Sequence, residues 1–525
     1  MSWEKVTSKE ELHKKGRVLF KKKPKQIVVF ERKDGVYAID NRCPHQGYPL
    51  NEGAVEEKDG KQILTCHWHN WKFDLAGGAC VSGGDPVRSY PIKIEKDFVW
   101  VDLQDPSQEE VLKSSLESFD AAFVSNKMGR VSRELVRLHF NKIDPRIFVK
   151  RAIELSHVKL KKGMTHAYAA TADWLTLYEI NRSDIENQLI CLLEAIEFMS
   201  EEVLRHKDSP FSVQAMSYSS EVFLNAIENE NNFDAESFVL GALEKGLHFK
   251  DLEGDLTTAA LAHYNDFGHS LIYVNKAGKL IEELGERVEK PLLLSLVRSL
   301  CFTTREDLLP EFQKYQETLK LVIPGSPMPD IFQKPVNASL EWVVSQLDKH
   351  APQEVFDALL QANAKNLLYF NSYFEEATDT PLSQHVGWLD FTHALTFAHA
   401  VKLQCEKFPQ MWKRALLQLA CFNGRNHSFL DLEQDVSQWW VKDEKQFFHH
   451  VEQKLLDHGL ESSVLVAHYL KTYCAVKEML PDLSDETKKY ILAGLNRFLN
   501  SRYKHKHSRR KIKKALELIG KDFNH

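Results

Sequence analysis

The chain has 525 residues, 43% of them hydrophobic and 27% charged, with a formal net charge of −6. That length and apolar content suffice for more than one core, so two or three domains are expected. The mild acidic balance gives no argument for a nucleic-acid partner, and no uninterrupted apolar run reaches membrane-spanning length, so no membrane partner is expected.

The opening Met1-Ser2-Trp3-Glu4-Lys5 has no apolar signal core. The eight cysteines show no paired spacing beyond Cys43 and Cys66, a usage that fits a reducing, cytoplasmic location. Residues 26–32 and 36–40 are β-rich runs around Asp34-Gly35 and predict a hairpin. A second hairpin is predicted from residues 53–57 and 61–65 around Asp59-Gly60, and a third from 92–95 and 99–102 around Lys96-Asp97.

Flanking the second hairpin are Cys43-Pro44-His45 and Cys66-His67-Trp68-His69. Antiparallel strands return the chain to its start, so the two loops emerge at one end of the ribbon. Two thiolates and two imidazoles in C-x-H and C-x-x-H pairs are the ligand set of a Rieske 2Fe-2S centre, with Cys43 and Cys66 on one iron and His45 and His69 on the other. The same four groups also suit tetrahedral zinc. His67 is the competing imidazole. Asn70 is one of the few residues other than glycine that tolerates a left-handed turn.

Cys43-Pro44-His45-Gln46-Gly47-Tyr48-Pro49-Leu50 and Cys66-His67-Trp68-His69-Asn70-Trp71-Lys72-Phe73-Asp74 resemble the two cluster loops of Rieske ferredoxins and of the Rieske domains of oxygenases. Gly83-Gly84-Asp85-Pro86, followed by Tyr90-Pro91, resembles the proline loop that covers the cluster in that family. Tyr48 and Trp68 stand where Rieske proteins of cytochrome bc complexes carry an extra disulfide, which places the resemblance with the lower-potential branch. His67 and Asn70 depart from the Pro and Gly common in the family. The resemblance implies a small antiparallel β domain over 1–104, a Rieske-type 2Fe-2S cluster and an external reductase as electron donor.

Residues 104–108 read as a linker. From residue 109 to 525 the apolar residues recur at three- and four-residue spacing, which predicts a large all-α domain of helical hairpins and makes the whole chain multidomain α+β. A proline-rich segment, 323–329, divides it into two halves near 323–338.

Those halves share D-F-x-H-x-L-x-aromatic, at Asp266-Phe267-Gly268-His269 and at Asp390-Phe391-Thr392-His393, with weaker copies around His166 and His468. Self-similarity of this kind predicts stacked hairpins in which each His occupies an equivalent place. In order, the segments around His166, His269, His393 and His468 resemble the His-bearing helices of the questin oxidase-like family. That resemblance implies an oxygenase-type role on an aromatic or polyketide-like small molecule.

Each such histidine also has a plain reading as a hydrogen-bonded core residue. A second iron among them is a further expectation, since a one-electron cluster needs an acceptor. Glu154-x-x-His157 is the single E-x-x-H in the helical region, which argues against a ferritin-like di-iron site. Asp390, His393 and His399 miss the spacing of a mononuclear ring-hydroxylase iron by one residue. His263 and Tyr264 are candidate acid-base groups. Arg502 to Lys514 is densely basic and suits either a solvated helix or an acidic partner.

The expected function is an oxidoreductase in which Rieske-borne electrons serve chemistry lined by His166, His269, His393 and His468. The alternative is a Rieske ferredoxin or redox sensor fused to a non-catalytic helical interaction module.

Overall fold

A computed structural model describes residues 2–325, 328–381, 384–504 and 506–523. Packing divides the chain into two compact units. One contains the chain up to Ala122 together with Lys127–Asp144, and the other contains Phe123–Asn126 and Pro145–His525.

The first unit is built on ten strands, β1 (Trp3–Ser8), β2 (Arg17–Lys22), β3 (Lys25–Arg32), β4 (Gly35–Asp40), β5 (Ala54–Lys58), β6 (Lys61–Thr65), β7 (Lys72–Asp74), β8 (Cys80–Ser82), β9 (Ile92–Glu95) and β10 (Phe98–Asp102). They form three antiparallel sheets in the orders β1-β10-β9, β2-β3-β4 and β5-β6-β7-β8. The run Ile27-Val28-Val29-Phe30 makes β3 the hub, because alternate side chains leave opposite faces of a strand. Ile27 and Val29 enter one core with Leu12, Ala38, Val99 and Val101. Val28 and Phe30 enter another with Ile39, Leu50, Leu64 and Phe73. Each such side chain contributes about 1.5–3 kcal/mol when fully buried.

The predicted hairpins form. Lys58 pairs with Lys61 across Asp59 and Gly60, whose φ values are 53° and 74°. Glu95 pairs with Phe98 across Lys96 and Asp97, at φ 50° and 61° without a glycine. In the first hairpin Arg32 pairs with Gly35, so the loop is Lys33-Asp34 and Gly35 opens β4. Helices Gln108–Phe123 and Met128–Phe140 follow the sheets.

The second unit is helical. At its centre stand four helices, His166–Ile180, His269–Leu284, Trp388–Lys407 and Ser463–Met479, each packed against two of the others so that they close a four-sided ring. Trp388–Lys407 is buried nearly all round, with Phe391, Leu395, Phe397 and Val401 inaccessible on several faces, as expected of a helix inside a bundle. The proline-rich segment lies between helices Lys314–Thr318 and Val336–Leu347, and its residues 326 and 327 lie outside the described residues.

One expectation is corrected here. The four histidines are not at equivalent helical places. His166 and His269 open their helices, whereas His393 and His468 lie more than one turn inside theirs. The first D-F-x-H copy is not helical before its His. Asp266, Phe267 and Gly268 all have left-handed backbones, with φ 44°, 50° and 77°. Neighbours hold this costly turn in place. The Asp266 amide donates to Thr304 O at 3.0 Å, the Phe267 amide donates to Glu306 Oε2 at 3.2 Å, and the Arg425 guanidinium lies 4.3 Å from the Phe267 ring. Gly268 abuts Phe397 so closely that a Cβ there would stand 2.6 Å from that ring.

Candidate functional site

The loops before β5 and after β6 close in the same way. The Gly47 amide donates to Cys43 O at 2.8 Å and the Asn70 amide to Cys66 O at 3.0 Å. The Cys43 amide then donates to Tyr48 O, and the Cys66 amide to Trp71 O. These bonds bury both thiols at the end of the apolar core and leave His45 and His69 nearer the surface. His45 Nδ1 and His69 Nδ1 stand 3.1 Å apart. Two nitrogens bound to one tetrahedral metal at about 2.0–2.1 Å would be separated by roughly 3.4 Å. Cys43 and Cys66 likewise face each other. Burial, and then the neighbouring Cys66, push the Cys43 thiol up to about 11. His67 is exposed and makes no part of this convergence.

The cluster loops are backed by an aromatic and a buried charge. Trp71 stacks on His45 with ring centroids 4.7 Å apart at 14°. Gly83, at φ 135°, lies so near Trp71 that a Cβ would come within 2.5 Å of the indole. Next to it Asp85 is fully buried, with Arg133 Nε at 2.5 Å and Arg130 Nε at 2.9 Å, both from helix Met128–Phe140. Burial, then His69 and Arg133, lower the pKa of His45. None of the eight cysteines forms a disulfide. Two buried thiols and two facing imidazoles fit a Rieske cluster in number, type and convergence.

Residues 2–102 match the family described as Rieske-like [2Fe-2S] domain. The ferredoxin component of a naphthalene 1,2-dioxygenase system from Pseudomonas aeruginosa is 30% identical over 81 residues, 15% of this chain and 74% of that protein. The chain belongs to the Rieske-like 2Fe-2S family. A human Rieske domain-containing protein is 34% identical over 73 residues, and the match spans about half of it, 46%, and 14% of this chain. A ferredoxin of carbazole 1,9a-dioxygenase from Nocardioides aromaticivorans is 24% identical, with all of that chain and 20% of this one covered at a TM-score of 0.18. The Rieske domain thus carries a Rieske-type 2Fe-2S cluster, a carrier of single electrons.

In the helical unit the four expected histidines come together. His269 Nε2 lies 3.0 Å from His166 Nε2 and 3.0 Å from His393 Nε2, and His468 Nε2 lies 3.4 Å from His393 Nε2. Nδ1 of His269, His393 and His468 faces the carbonyls of Asp266, Leu389 and Val464 at 2.5, 2.5 and 2.7 Å. Those contacts place the ring proton on Nδ1 and leave Nε2 as a lone pair. The lone pairs of His269 and His393 then face each other at 3.0 Å without a proton between them, with Lys471 Nζ 3.3 Å from His393 Nε2 on its other side. A shared cation would relieve that repulsion, and the ligand atoms of His166, His393 and His468 lie within 4.8 Å of one another. All-imidazole sites suit zinc, copper, iron or nickel. Burial, followed by Lys471, holds His269 down to about 3 and the other three well below the usual imidazole range.

Sequence reasoning missed several groups around this layer. Lys471, three residues after His468, places Nζ 3.3 Å from His393 Nε2, and burial lowers its pKa to about 7. The helical step from His468 was the signal available for it. Glu202 lies near His166 by way of Thr165, and burial raises it to about 7. Tyr273, the aromatic that closes the first D-F-x-H-x-L-x-aromatic copy and so was legible in the sequence, has its ring 5.4 Å from that of His269.

Below the histidines runs a column of buried charge. Lys276 Nζ donates to Asp173 at 2.6 Å, and both side chains are almost wholly inaccessible. Glu478 then meets His399 Nε2 at 2.8 Å and Lys279 at 3.0 Å, at the wall of a cavity of about 600 Å³.

The remaining candidates lie elsewhere. His157 turns Nδ1 to Glu154 O at 2.8 Å, and Glu154 pairs with Arg151 and Arg287. Asp390 pairs with Arg425 at 3.1 Å, and His399 serves Glu478. His263 is clamped between Glu228 at 2.7 Å and Asp307 at 3.0 Å. Tyr264 is buried, away from the four-histidine layer's hydrogen bonds.

Proposed function

We propose that this protein is an oxidoreductase of oxygenase type, in which electrons borne by the Rieske domain are used at a metal ion held by His166, His269, His393 and His468. The substrate class is an aromatic or polyketide-like small molecule, the reading that the questin oxidase-like resemblance of these helices supports. One observation carries the proposal: the Nε2 atoms of His166, His269, His393 and His468 follow one another at 3.0, 3.0 and 3.4 Å, and backbone carbonyls fix the tautomer of three of them. An ordinary core histidine needs one partner for each nitrogen and gains nothing from facing a second lone pair.

Cys43 and Cys66 would hold one iron of the cluster, and His45 and His69 the other. An external reductase is the partner that one-electron refilling requires. A redox-active ion at the four histidines would supply the binding and activation of oxidant. Around it, the carbonyls of Asp266, Leu389 and Val464 hold the rings in orientation. Lys471 Nζ offers a proton beside His393, and Tyr273 closes one side with an apolar ring. The buried layer excludes bulk water, which strengthens each of these electrostatic contacts.

The test is a count of iron, zinc and acid-labile sulfide on anaerobically purified protein, with electron paramagnetic resonance after reduction. Metal in excess of sulfide, lost in His269→Ala and His393→Ala while the Rieske signal persists, is the expected result. Metal equal to sulfide in the unmodified protein would favour the ferredoxin or sensor with a non-catalytic helical module.

A further inference from the structure

Helix Ser508–Phe523 is mounted with its apolar side outward. At 3.6 residues per turn, Ile512, Leu516 and Ile519 fall within about 60° of one another, and Arg510 lies about 160° from Ile512. Arg510 is the side that meets the protein. Its Nε donates to Ala377 O at 2.9 Å, and its Nη2 donates to Phe374 O at 3.0 Å and Glu375 O at 3.2 Å. Lys513, on the same flank, pairs with Asp379 at 2.8 Å. Ile512, Leu516 and Ile519 are 63%, 68% and 55% exposed. A helix held only for its own stability would turn this stripe inward.

The charge around the stripe selects what covers it. Arg509, Lys511 and Lys514 are exposed on the helix, Lys504 and Lys506 precede it, and no acidic residue occurs between Arg502 and Leu516. A second copy of the same stripe would bring these like charges together, which disfavours a symmetric pair. A nucleic acid would use the charge and leave the apolar stripe in water. An apolar stripe flanked by basic residues is the chemistry that lies flat in the interface of an anionic bilayer, where the stems of Lys and Arg reach the headgroups.

We propose that helix Ser508–Phe523 docks on an anionic lipid surface, with Ile512, Leu516 and Ile519 entering the headgroup boundary and Arg509 and Lys511, on either flank of that stripe, meeting lipid phosphates and carboxylates. This is a peripheral contact. Among the described residues no helix is long and apolar enough to cross a membrane. The proposal is independent of the metal chemistry at the four histidines.

The experiment is co-sedimentation of the full chain with vesicles of phosphatidylcholine alone or mixed with phosphatidylserine, at low and high salt. Binding to the mixed vesicles that weakens with salt is expected. Arg509→Ala with Lys511→Ala should bind about thirtyfold more weakly, since each basic residue near an anionic surface is worth about 1 kcal/mol. Leu516→Glu with Ile519→Glu should abolish binding, while circular dichroism and the Rieske absorption stay unchanged because both side chains are exposed. Absence of binding to the mixed vesicles, or binding that survives Leu516→Glu with Ile519→Glu, would overturn the proposal. So would a dimer in light scattering that this double variant dissolves, which would assign the stripe to a second copy of the chain.

Discussion

Gly47 and Asn70 occupy one place in two loops. Each stands four residues after a cluster cysteine, each returns its amide to that cysteine's carbonyl, and each has a left-handed backbone, at φ 77° and 58°. Asn70→Gly should therefore leave the reduced Rieske spectrum unchanged. Asn70→Val should deplete acid-labile sulfide, because a β-branched residue resists this conformation. Sulfide analysis of the two variants side by side separates backbone conformation from the amide side chain.

Gly268 tests the left-handed turn before His269. A Cβ there meets both a positive φ and the Phe397 ring at 2.6 Å, whereas Gly246, at a similar φ of 75°, has open space around it. Gly246→Ala should cost about 1 kcal/mol in urea unfolding. Gly268→Ala should cost more and also release the metal proposed at the four histidines, since His269 follows directly. Metal analysis and unfolding on both variants distinguish strain from displacement.

The Asp173–Lys276 pair is buried on both sides. Asp173→Ala should destabilise by about 3–5 kcal/mol, because it leaves an ammonium without its partner in the core. Adding Lys276→Met to Asp173→Leu should recover most of that loss, since an apolar pair of similar volume replaces the ions. Urea midpoints of the single and double variants measure the difference.

Glu202 gives the stability a pH dependence of known sign. Burial raises its carboxyl from 4.5 to about 7 in the folded state. The folded chain therefore holds this proton more tightly than the unfolded one. The contribution of Glu202 is complete below the unfolded value and is lost as pH rises through about 7. Glu202→Gln stays neutral, so its melting temperature relative to the parent should rise between pH 5 and pH 8 by the equivalent of roughly 3 kcal/mol at most.

Much of this was readable in the residues. Asp59-Gly60 and Lys96-Asp97 mark hairpins because short polar residues and glycine accept left-handed backbones. The paired C-x-H and C-x-x-H motifs then locate the cluster loops. The strands β1 and β2 and the helix Lys9–Lys15 were missed, since their alternation is broken by the charged residues of a half-exposed edge. His269 and His393 were legible as a recurring tetrapeptide, and His166 and His468 as weaker copies. Their meeting at one place was expected from that recurrence; their unequal places on the helices were not, because Asp266-Phe267-Gly268 and Asp390-Phe391-Thr392 take different backbones under different neighbours. Asp85 with Arg130 and Arg133, and Lys471 beside His393, lie in no motif and are brought into place only by packing.

The ligand order along the chain has a consequence for assembly. His269 lies 103 residues after His166, His393 another 124 after that, and His468 a further 75. Two of them precede the proline-rich segment and two follow it, so a chain cut there yields two fragments that each own two of the four proposed ligands. Neither fragment alone would hold the ion proposed for this layer. Mixed together, they would form a complementation pair whose reassociation depends on metal and is reversed by a chelator, and the four-histidine layer would then act as a latch between separately made polypeptides.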